Sequence, residues 1–233
     1  MRVFELATRP GLADCAPSGR ARLDALARWL QDVAYADVED AGLQDSAAWV
    51  VRRSRLSVER FPRFAEHLNV RTYCSGLGRM WAERRTTIAR AGQAASDVEA
   101  VSLWVRLDRV SGRPAPLTEA EIAIYGAAGV KRGVKARLHH PLPEEPASQS
   151  RWAFRATECD LAGHVNNSAY WQLLEEELLA VAPGPEPERV DAEIEFRTPS
   201  QPGEKRVLAN GQMRWIVGAD GDVHASALLS AWA

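Results

Sequence analysis

The sequence lacks the patterns that mark several common classes of protein. It has no run of 18 apolar residues, so we expect no membrane-spanning helix. The formal net charge is only −2, which argues against a nucleic-acid partner. No glycine-rich phosphate loop and no Gly-x-Ser-x-Gly nucleophile elbow is present, so the sequence offers no support for either kind of site.

Cysteine is scarce, and its placement does not suggest a metal site. Cys15, Cys74 and Cys159 are scattered along the chain without metal-ligand spacing. The first ten residues are too short and too polar to form a secretory signal peptide. Together these observations predict a protein of the reducing cytoplasm. Nothing in the sequence calls for a metal or a cofactor.

The apolar residues that are present predict a globular chain made of two similar halves. With 233 residues and 46% apolar content, the chain suits one large domain or two domains of about 100 residues each. Three- and four-residue spacing of apolar residues predicts one helix from Ala21 to about Leu43 and a second from about Ser168 to Ala182. Alternation of apolar and polar residues predicts strands around residues 56–58, 68–74, 80–89, 101–107, 152–156, 192–196, 213–217 and 225–229. One helix with an antiparallel sheet, repeated twice, predicts the α+β class.

Two shorter segments connect these halves. Residues 117–125 are expected to form a short helix that begins with a Thr118/Glu121 capping box. Residues 127–150 resemble a linker because two glycines come early and three prolines follow, and we expect His139 and His140 within it to lie at the surface.

A dense polar turn precedes the second helix. Asp160 and His164 offer an acid and a base in a turn where Gly163 permits a tight backbone. Val165, Asn166 and Asn167 lead into the helix, whose first N–H groups have no partner within the helix and could stabilise an oxyanion. The cluster suits attack of water on an acyl group. Taken singly, each residue has a structural alternative: Asp160 as a turn former, the asparagines as helix caps, and His164 as a structural histidine.

A family resemblance adds to this interpretation. The stretch Asp160-Leu-Ala-Gly-His-Val-Asn-Asn-Ser-Ala-Tyr170 resembles the acyl-ACP thioesterase motif Asp-x-Asn-x-His-Val-Asn-Asn-x-x-Tyr of the hotdog-fold superfamily. The first half agrees through Trp49-Val-Val-Arg-Arg, Val58-Glu-Arg-Phe-Pro62 and Gly78-Arg-Met-Trp81. The resemblance implies two tandem hotdog domains, each a long central helix wrapped by an antiparallel sheet, which form a pseudo-dimer. The implied boundaries are residues 1–130 for the acyl-chain domain, 131–149 for the linker and 150–233 for the catalytic domain.

The resemblance also implies roles for individual residues. The catalytic aspartate and histidine of the family fall on Asp160 and His164, and Asn166 joins them. Glu176, six residues after the motif tyrosine, is a further candidate, as are Glu177 and Ser200. The sequence departs from the family at Ala162, where the motif has asparagine, and at Pro199 and Ser200, where an acid and a cysteine are sometimes implicated.

The implied reaction is hydrolysis of a fatty acyl thioester carried by acyl carrier protein, an acidic partner. Residues 51–90 hold ten arginines and three glutamates, and a surface so charged would steer such a partner. The docking candidates are Arg84, Arg85, Lys131, Arg132 and Lys135. Acyl-CoA hydrolysis and acyl binding without catalysis are the alternatives. A homodimer of pseudo-dimers is a further expectation.

Two predictions concern single side chains. Glu177 falls within the apolar face of the second helix, and because a buried unpaired carboxylate is costly, we expect it to pair with an arginine of the sheet. Trp81 and Trp104 are candidates for lining an acyl pocket.

Overall fold

The computed structural model describes residues 2–126, 134–145, 148–180 and 186–232. In these ranges ten strands form one antiparallel sheet, with the order β1-β3-β4-β5-β2-β7-β10-β9-β8-β6. The strands are β1 (Phe4–Thr8), β2 (Ala48–Val58), β3 (Leu68–Leu77), β4 (Trp81–Arg90), β5 (Val98–Leu107), β6 (Ser148–Phe154), β7 (Arg189–Phe196), β8 (Gly203–Asn210), β9 (Met213–Val217) and β10 (Val223–Trp232). The helices are α1 (Leu23–Asp40), α2 (Glu119–Gly126) and α3 (Ala169–Ala180).

The sheet is continuous through the two halves of the sequence. In the order of the sheet, the five strands of the first half end with β2, and those of the second half begin with β7. These two strands pair antiparallel, from Arg53 opposite Glu195 to Val58 opposite Val190. The sheet and helices agree with the predicted α+β class. Two strands, β1 and β8, were not predicted. β8 begins Gly-Glu-Lys-Arg and lacks an alternating apolar face, so its pattern did not identify it.

Helices α1 and α3 share one hydrophobic core with the inner face of the sheet. Their contact includes a buried polar link. Glu175 in α3 accepts the backbone N–H of Leu23 at 3.0 Å, which caps the first turn of α1. Its other oxygen lies 2.8 Å from the guanidinium of Arg20, and both side chains are 3% exposed. This ion pair fixes the start of α1 against α3.

The short helix α2 begins as the sequence predicts. Thr118 N–H donates to Glu121 Oε2 at 2.7 Å, and Glu121 N–H donates to Thr118 Oγ1 at 3.2 Å, which completes the capping box. Glu121 also binds Arg106 inside the protein, and this pair holds α2 over the end of β5. No helix in the described ranges is long and apolar enough to cross a membrane.

Candidate active site

The turn at Asp160 is closed by its own backbone and side chain. Asp160 N–H donates to His164 O at 3.0 Å, and Gly163 N–H donates back to Asp160 O at 3.0 Å. Gly163 has a φ of +72°, a conformation that glycine adopts without strain. The Asp160 carboxylate accepts the N–H of Ala162 at 2.9 Å through Oδ1. The turn therefore holds the acid in one orientation while leaving it exposed to solvent.

Asn166 connects this acid to the first half of the chain. Its Nδ2 donates to Asp160 Oδ2 at 3.0 Å and to Gln31 Oε1 at 3.1 Å. Gln31 in α1 returns a hydrogen bond from Nε2 to Asn166 Oδ1 at 3.0 Å. The same Oδ1 accepts the N–H of Ser168 at 2.8 Å and its hydroxyl at 2.7 Å, as a helix cap does. Asn166 is thus both the cap of α3 and the residue that orients Asp160.

The predicted oxyanion donors are not equally available. Val165 N–H donates to Ser200 O at 2.9 Å, and Asn166 N–H donates to Glu158 O at 2.8 Å. Both groups are occupied because the segment before α3 forms a small ladder with its neighbours. Of these three residues, only Asn167 has a backbone N–H without an acceptor among the described residues. The three-donor oxyanion site predicted from the sequence is therefore reduced to one backbone donor.

His164 lies beside the turn without a fixed partner. Its side chain is half-buried, and within the described ranges its ring makes no hydrogen bond. The structure brings Asp160 and Asn166 together but does not connect His164 to either of them through its ring. The ring is therefore free to meet a ligand at the turn.

Ser200 is placed as a structural residue rather than an accessible nucleophile. It is 0% exposed, and its hydroxyl is hydrogen bonded to Nδ1 of the buried His224. Nε2 of His224 lies 3.7 Å from Asp220 Oδ1. The backbone oxygen of Ser200 receives the Val165 N–H, so this residue braces the turn from behind. Burial raises the pKa of the neighbouring Tyr170 hydroxyl, which stays protonated.

The three consecutive glutamates of α3 have three different environments. Glu177 is half-buried and pairs with Arg214 of β9, with 2.8 Å from Nε to Oε1 and 2.9 Å to Oε2. The expectation of an arginine from the sheet is thereby confirmed. Glu176 is exposed and has no ion-pair partner among the described residues. The fully buried carboxylate is Glu175, which the helical pattern did not single out.

The predicted docking cations are also divided. Arg84 is 9% exposed and binds Asp37 at 2.7 Å, so the prediction that it meets a carrier at the surface was wrong. It lies on β4 facing α1, inside the protein. Arg85 is half-buried and Lys135 is exposed. Lys131 and Arg132 lie outside the described residues.

A cavity of about 470 Å³ lies between α1 and the inner face of the first half of the sheet. Gln31 and Leu161 line it, so the cavity begins at the candidate catalytic turn. Trp104 also lines it as expected, whereas Trp81 does not and instead donates its Nε1–H to Val134 O at 2.6 Å. Gln31 was missed from the sequence. The sequence marks Gln31 only as a polar residue between apolar turns of a predicted helix.

His140, Glu193 and Glu195 form a cluster whose atoms could hold a cation. His140 Nε2 lies 3.3 Å from Glu193 Oε1. Glu195, however, already accepts the backbone N–H groups of His139 and His140, at 2.5 and 3.1 Å. The carboxylates thus fasten the linker segment to the centre of the sheet. The His140 side chain is 7% exposed, so its predicted surface position was wrong, because Glu195 draws the linker inward.

Comparisons of sequence and of fold both find acyl-ACP thioesterases. Residues 11–125 match the family model of the acyl-ACP thioesterase N-terminal domain. An uncharacterized protein of Mycobacterium tuberculosis is 27% identical over 234 residues, which covers 97% of this chain and 91% of that protein.

Two solved structures share the fold over nearly the whole chain. An acyl-ACP thioesterase from Bacteroides thetaiotaomicron has a TM-score of 0.78 at 16% identity, with 98% of each chain covered. The 12:0-ACP thioesterase from Umbellularia californica has a TM-score of 0.77 at 16% identity, with 98% of this chain and 97% of that chain covered. The hotdog-type α+β fold is thereby confirmed. The family model covers the first half of the chain: residues 11–125 form an acyl-ACP thioesterase N-terminal domain, and the chain is a thioester hydrolase, as the motif predicts.

Proposed function

We propose that the chain releases a free fatty acid from acyl carrier protein, with Asp160 as the base that activates water. The observation that carries this proposal is the hydrogen-bonded series Asp160–Asn166–Gln31 at the mouth of the 470 Å³ cavity. An acyl chain in the cavity would present its thioester carbon at the turn. The two halves of the chain would then meet at the reacting group.

The proposed reaction begins with water that is hydrogen bonded to Asp160. Each carboxylate oxygen has two lone pairs, so the bonds from Ala162 and Asn166 leave room for one from water. As the water oxygen attacks the thioester carbon, its proton passes to the Asp160 carboxylate. The tetrahedral intermediate then collapses, the carbon–sulfur bond breaks, and the sulfur leaves as a thiol once it has taken a proton.

Asn167 would stabilise the negative charge on the carbonyl oxygen, and His164 the negative charge on the departing sulfur. The N–H of Asn167, just before α3, has no acceptor among the described residues and would donate to the oxyanion, where a fixed donor stabilises the transition state. The protonated ring of His164, which makes no hydrogen bond to the described residues, would give its proton to the departing sulfur. The proton on Asp160 then passes through solvent to His164, so both side chains regain their starting protonation states.

We further propose the tandem hotdog pseudo-dimer as the layout of the chain. Residues 1–130 would hold the acyl chain and residues 150–233 would supply the catalytic turn, with residues 131–149 between them. The pairing of β2 with β7 and the contact of α1 with α3 support this division. Light scattering of the purified chain would decide whether two pseudo-dimers associate.

The proposed carrier is an acidic protein. It would dock on cations of this chain, which are the exposed Lys135, the half-buried Arg85, and Lys131 and Arg132. All three cysteines are free thiols, which fits a cytoplasmic location. If the carrier docks through charge, kcat/KM for decanoyl-ACP should fall as salt rises, and the value for decanoyl-CoA should fall less. Equal salt dependence, with CoA the better substrate, would favour an acyl-CoA thioesterase.

The site assignment is tested with Asp160→Asn, which keeps the shape and the acceptor for Ala162 but removes the base. We expect kcat on decanoyl-ACP to fall about 10²- to 10⁴-fold. The rate is measured by mass spectrometry of the released acid. Asp222→Asn, at an exposed acid in the turn between β9 and β10, is the matched control and should leave the rate unchanged. Wild-type rates for Asp160→Asn would refute the assignment. Acyl binding without hydrolysis of any thioester by the wild type would instead establish a non-catalytic acyl-binding protein.

A further inference from the structure

The cavity changes character along its length. Next to the catalytic turn it is lined by Gln31 and Leu161, and it follows α1 through Ala34 to Val38. Much of the wall is apolar, as an alkyl chain requires. Farther along, where α2 closes the first half, polar side chains enter the wall.

Arg84 is the first of these polar groups. The residue is 9% exposed, and only its Nη1 donates within the described protein, to Asp37 Oδ2 at 2.7 Å and Thr72 Oγ1 at 3.2 Å. Its Nε and Nη2 have no acceptor among the described residues. A guanidinium has five N–H donors, so several remain for a ligand in the cavity.

The charge of Arg84 is already balanced. Asp37 binds Arg2 as well as Arg84, each at 2.7 Å, and Arg2 also reaches Asp40 at 2.5 Å. Two cations and two anions sum to zero. Glu83, also on the wall and 5% exposed, has no ion-pair partner among the described residues. The wall therefore offers hydrogen-bond donors without a net positive charge, which favours an uncharged acceptor over a carboxylate.

Tyr125 and Trp104 add two further donors to the same wall. The Trp104 Nε1 is buried and has no hydrogen-bond partner in the described ranges. The Tyr125 hydroxyl is also buried and lies close to Asp37 and Arg84 without a well-formed hydrogen bond to either. The guanidinium of Arg84 lies 5.6 Å from the centre of the Tyr125 ring. Burial, with the charge of Asp37, raises the pKa of Tyr125 to about 12, so the hydroxyl keeps its proton. Unpaired buried donors are costly, and a ligand oxygen would remove that cost.

We propose that the acyl substrate carries a neutral oxygen, a hydroxyl or a ketone, on the distal part of its chain. Arg84, Tyr125 and Trp104 would recognise this oxygen. The inference rests on the proposed function, because it takes the cavity as the acyl site. A plain alkyl chain would fill the same space and leave these donors without an acceptor.

The position of the oxygen follows from the helix beside it. Asp37, which holds Arg84, follows Gln31 by six residues of α1, a rise of about 9 Å. An extended chain advances roughly 1.2 Å per bond. The oxygen should therefore lie on the order of seven bonds from the thioester carbon. A 3-hydroxyacyl group would place its oxygen too near the catalytic turn.

The test compares four ten-carbon acyl groups on the same carrier: decanoyl, 3-hydroxydecanoyl, 8-hydroxydecanoyl and the half-thioester of decanedioic acid. We expect kcat/KM to be about tenfold higher for the 8-hydroxy substrate than for decanoyl, the effect of one or two buried hydrogen bonds. Tyr125→Phe removes a hydroxyl without a well-formed hydrogen bond to the described residues, so the variant should fold normally while losing most of this preference. Tyr73→Phe is the control, because Tyr73 lies on β3 outside the cavity lining.

A second measurement separates this proposal from the proposed function. Calorimetric titration with decanoic acid and 8-hydroxydecanoic acid reports binding even if no thioester is hydrolysed. Tighter binding of the hydroxy acid, reduced in Tyr125→Phe, would support the inference without any turnover. The proposal is overturned if decanoic acid binds as tightly, if the dicarboxylate is preferred, or if the preference survives in Tyr125→Phe.

Discussion

Asn166→Asp tests whether the amide of Asn166 orients the catalytic acid. The change keeps the size of the side chain and keeps an oxygen for Ser168 and for Gln31 Nε2. It replaces the Nδ2 donor, 3.0 Å from Asp160 Oδ2, with a second carboxylate oxygen. The hydrogen bond that holds the base therefore becomes a repulsion between like charges.

The size of that repulsion follows from the distance. Two unit charges about 3 Å apart repel by roughly 1.4 kcal/mol in water and about 5.5 kcal/mol at an effective dielectric constant of 20. Asp160 is exposed and Asn166 half-buried, so we expect about 2 to 3 kcal/mol. At neutral pH this corresponds to a loss of about 30- to 150-fold in kcat if the base must keep its orientation.

The loss of activity in Asn166→Asp should depend on pH. A proton shared by the two carboxyls restores a donor to Asp160, because a protonated acid replaces the amide N–H. The repulsion is absent while that proton is held and appears as pH rises and both groups ionise. Activity and unfolding free energy of Asn166→Asp should therefore both fall from acid to neutral pH, relative to wild type.

The assay is the rate of decanoyl-ACP hydrolysis from pH 4.5 to 8, with urea unfolding at the same pH values. Gln172→Glu is the matched control, since it makes the same amide-to-acid change in α3 at a side chain without a hydrogen bond in the described ranges. A pH profile of Asn166→Asp parallel to wild type, with unchanged kcat, would refute the orienting role of the amide.

Three further substitutions test the supports around the site. Ser200→Ala leaves Nδ1 of His224 unpaired, so it should cost about 1 to 3 kcal/mol of stability. The variant should keep most of the activity, and abolished turnover in a folded variant would show that the serine is catalytic. Glu175→Ala removes one of the two carboxylates that pair with the buried Arg20, which keeps Glu186, and it leaves the Leu23 N–H without its acceptor. It should lower the free energy of urea unfolding by about 1 to 3 kcal/mol, and an unchanged value would contradict the buried ion pair. Arg214→Ala breaks a partly exposed pair at the other end of α3 and should cost about 1 kcal/mol or less in the same assay, and a larger loss would show that its partner is effectively buried.

Much of the local structure could be predicted because it depends on residues close in sequence. The capping box of α2 joins residues three apart, and the turn at Asp160 closes within five residues. Apolar spacing identified α1 because one face of that helix is buried against the sheet. Strand β8 escaped prediction because its neighbours β6 and β9 support it, while its own first residues are polar and exposed.

The candidate site was predicted in part. The motif identified Asp160 and Asn166, and the structure joins them at 3.0 Å. The availability of each backbone N–H could not be predicted, because the acceptor of Val165 lies 35 residues away on Ser200. The motif likewise could not show that the ring of His164 makes no hydrogen bond within the part of the chain that the structure describes.

The sequence by itself determined the fold family, the two helices and the polar turn, because each depends on patterns within one element or one motif. Only the tertiary structure decided what surrounds them. Gln31 meets Asn166 across 135 positions because the halves pack together through α1 and α3. Arg84 appeared to be a surface cation in an arginine-rich stretch, and β4 instead directs it inward to Asp37. Side-chain direction in a sheet follows from strand pairing, so the charge count alone could not place it.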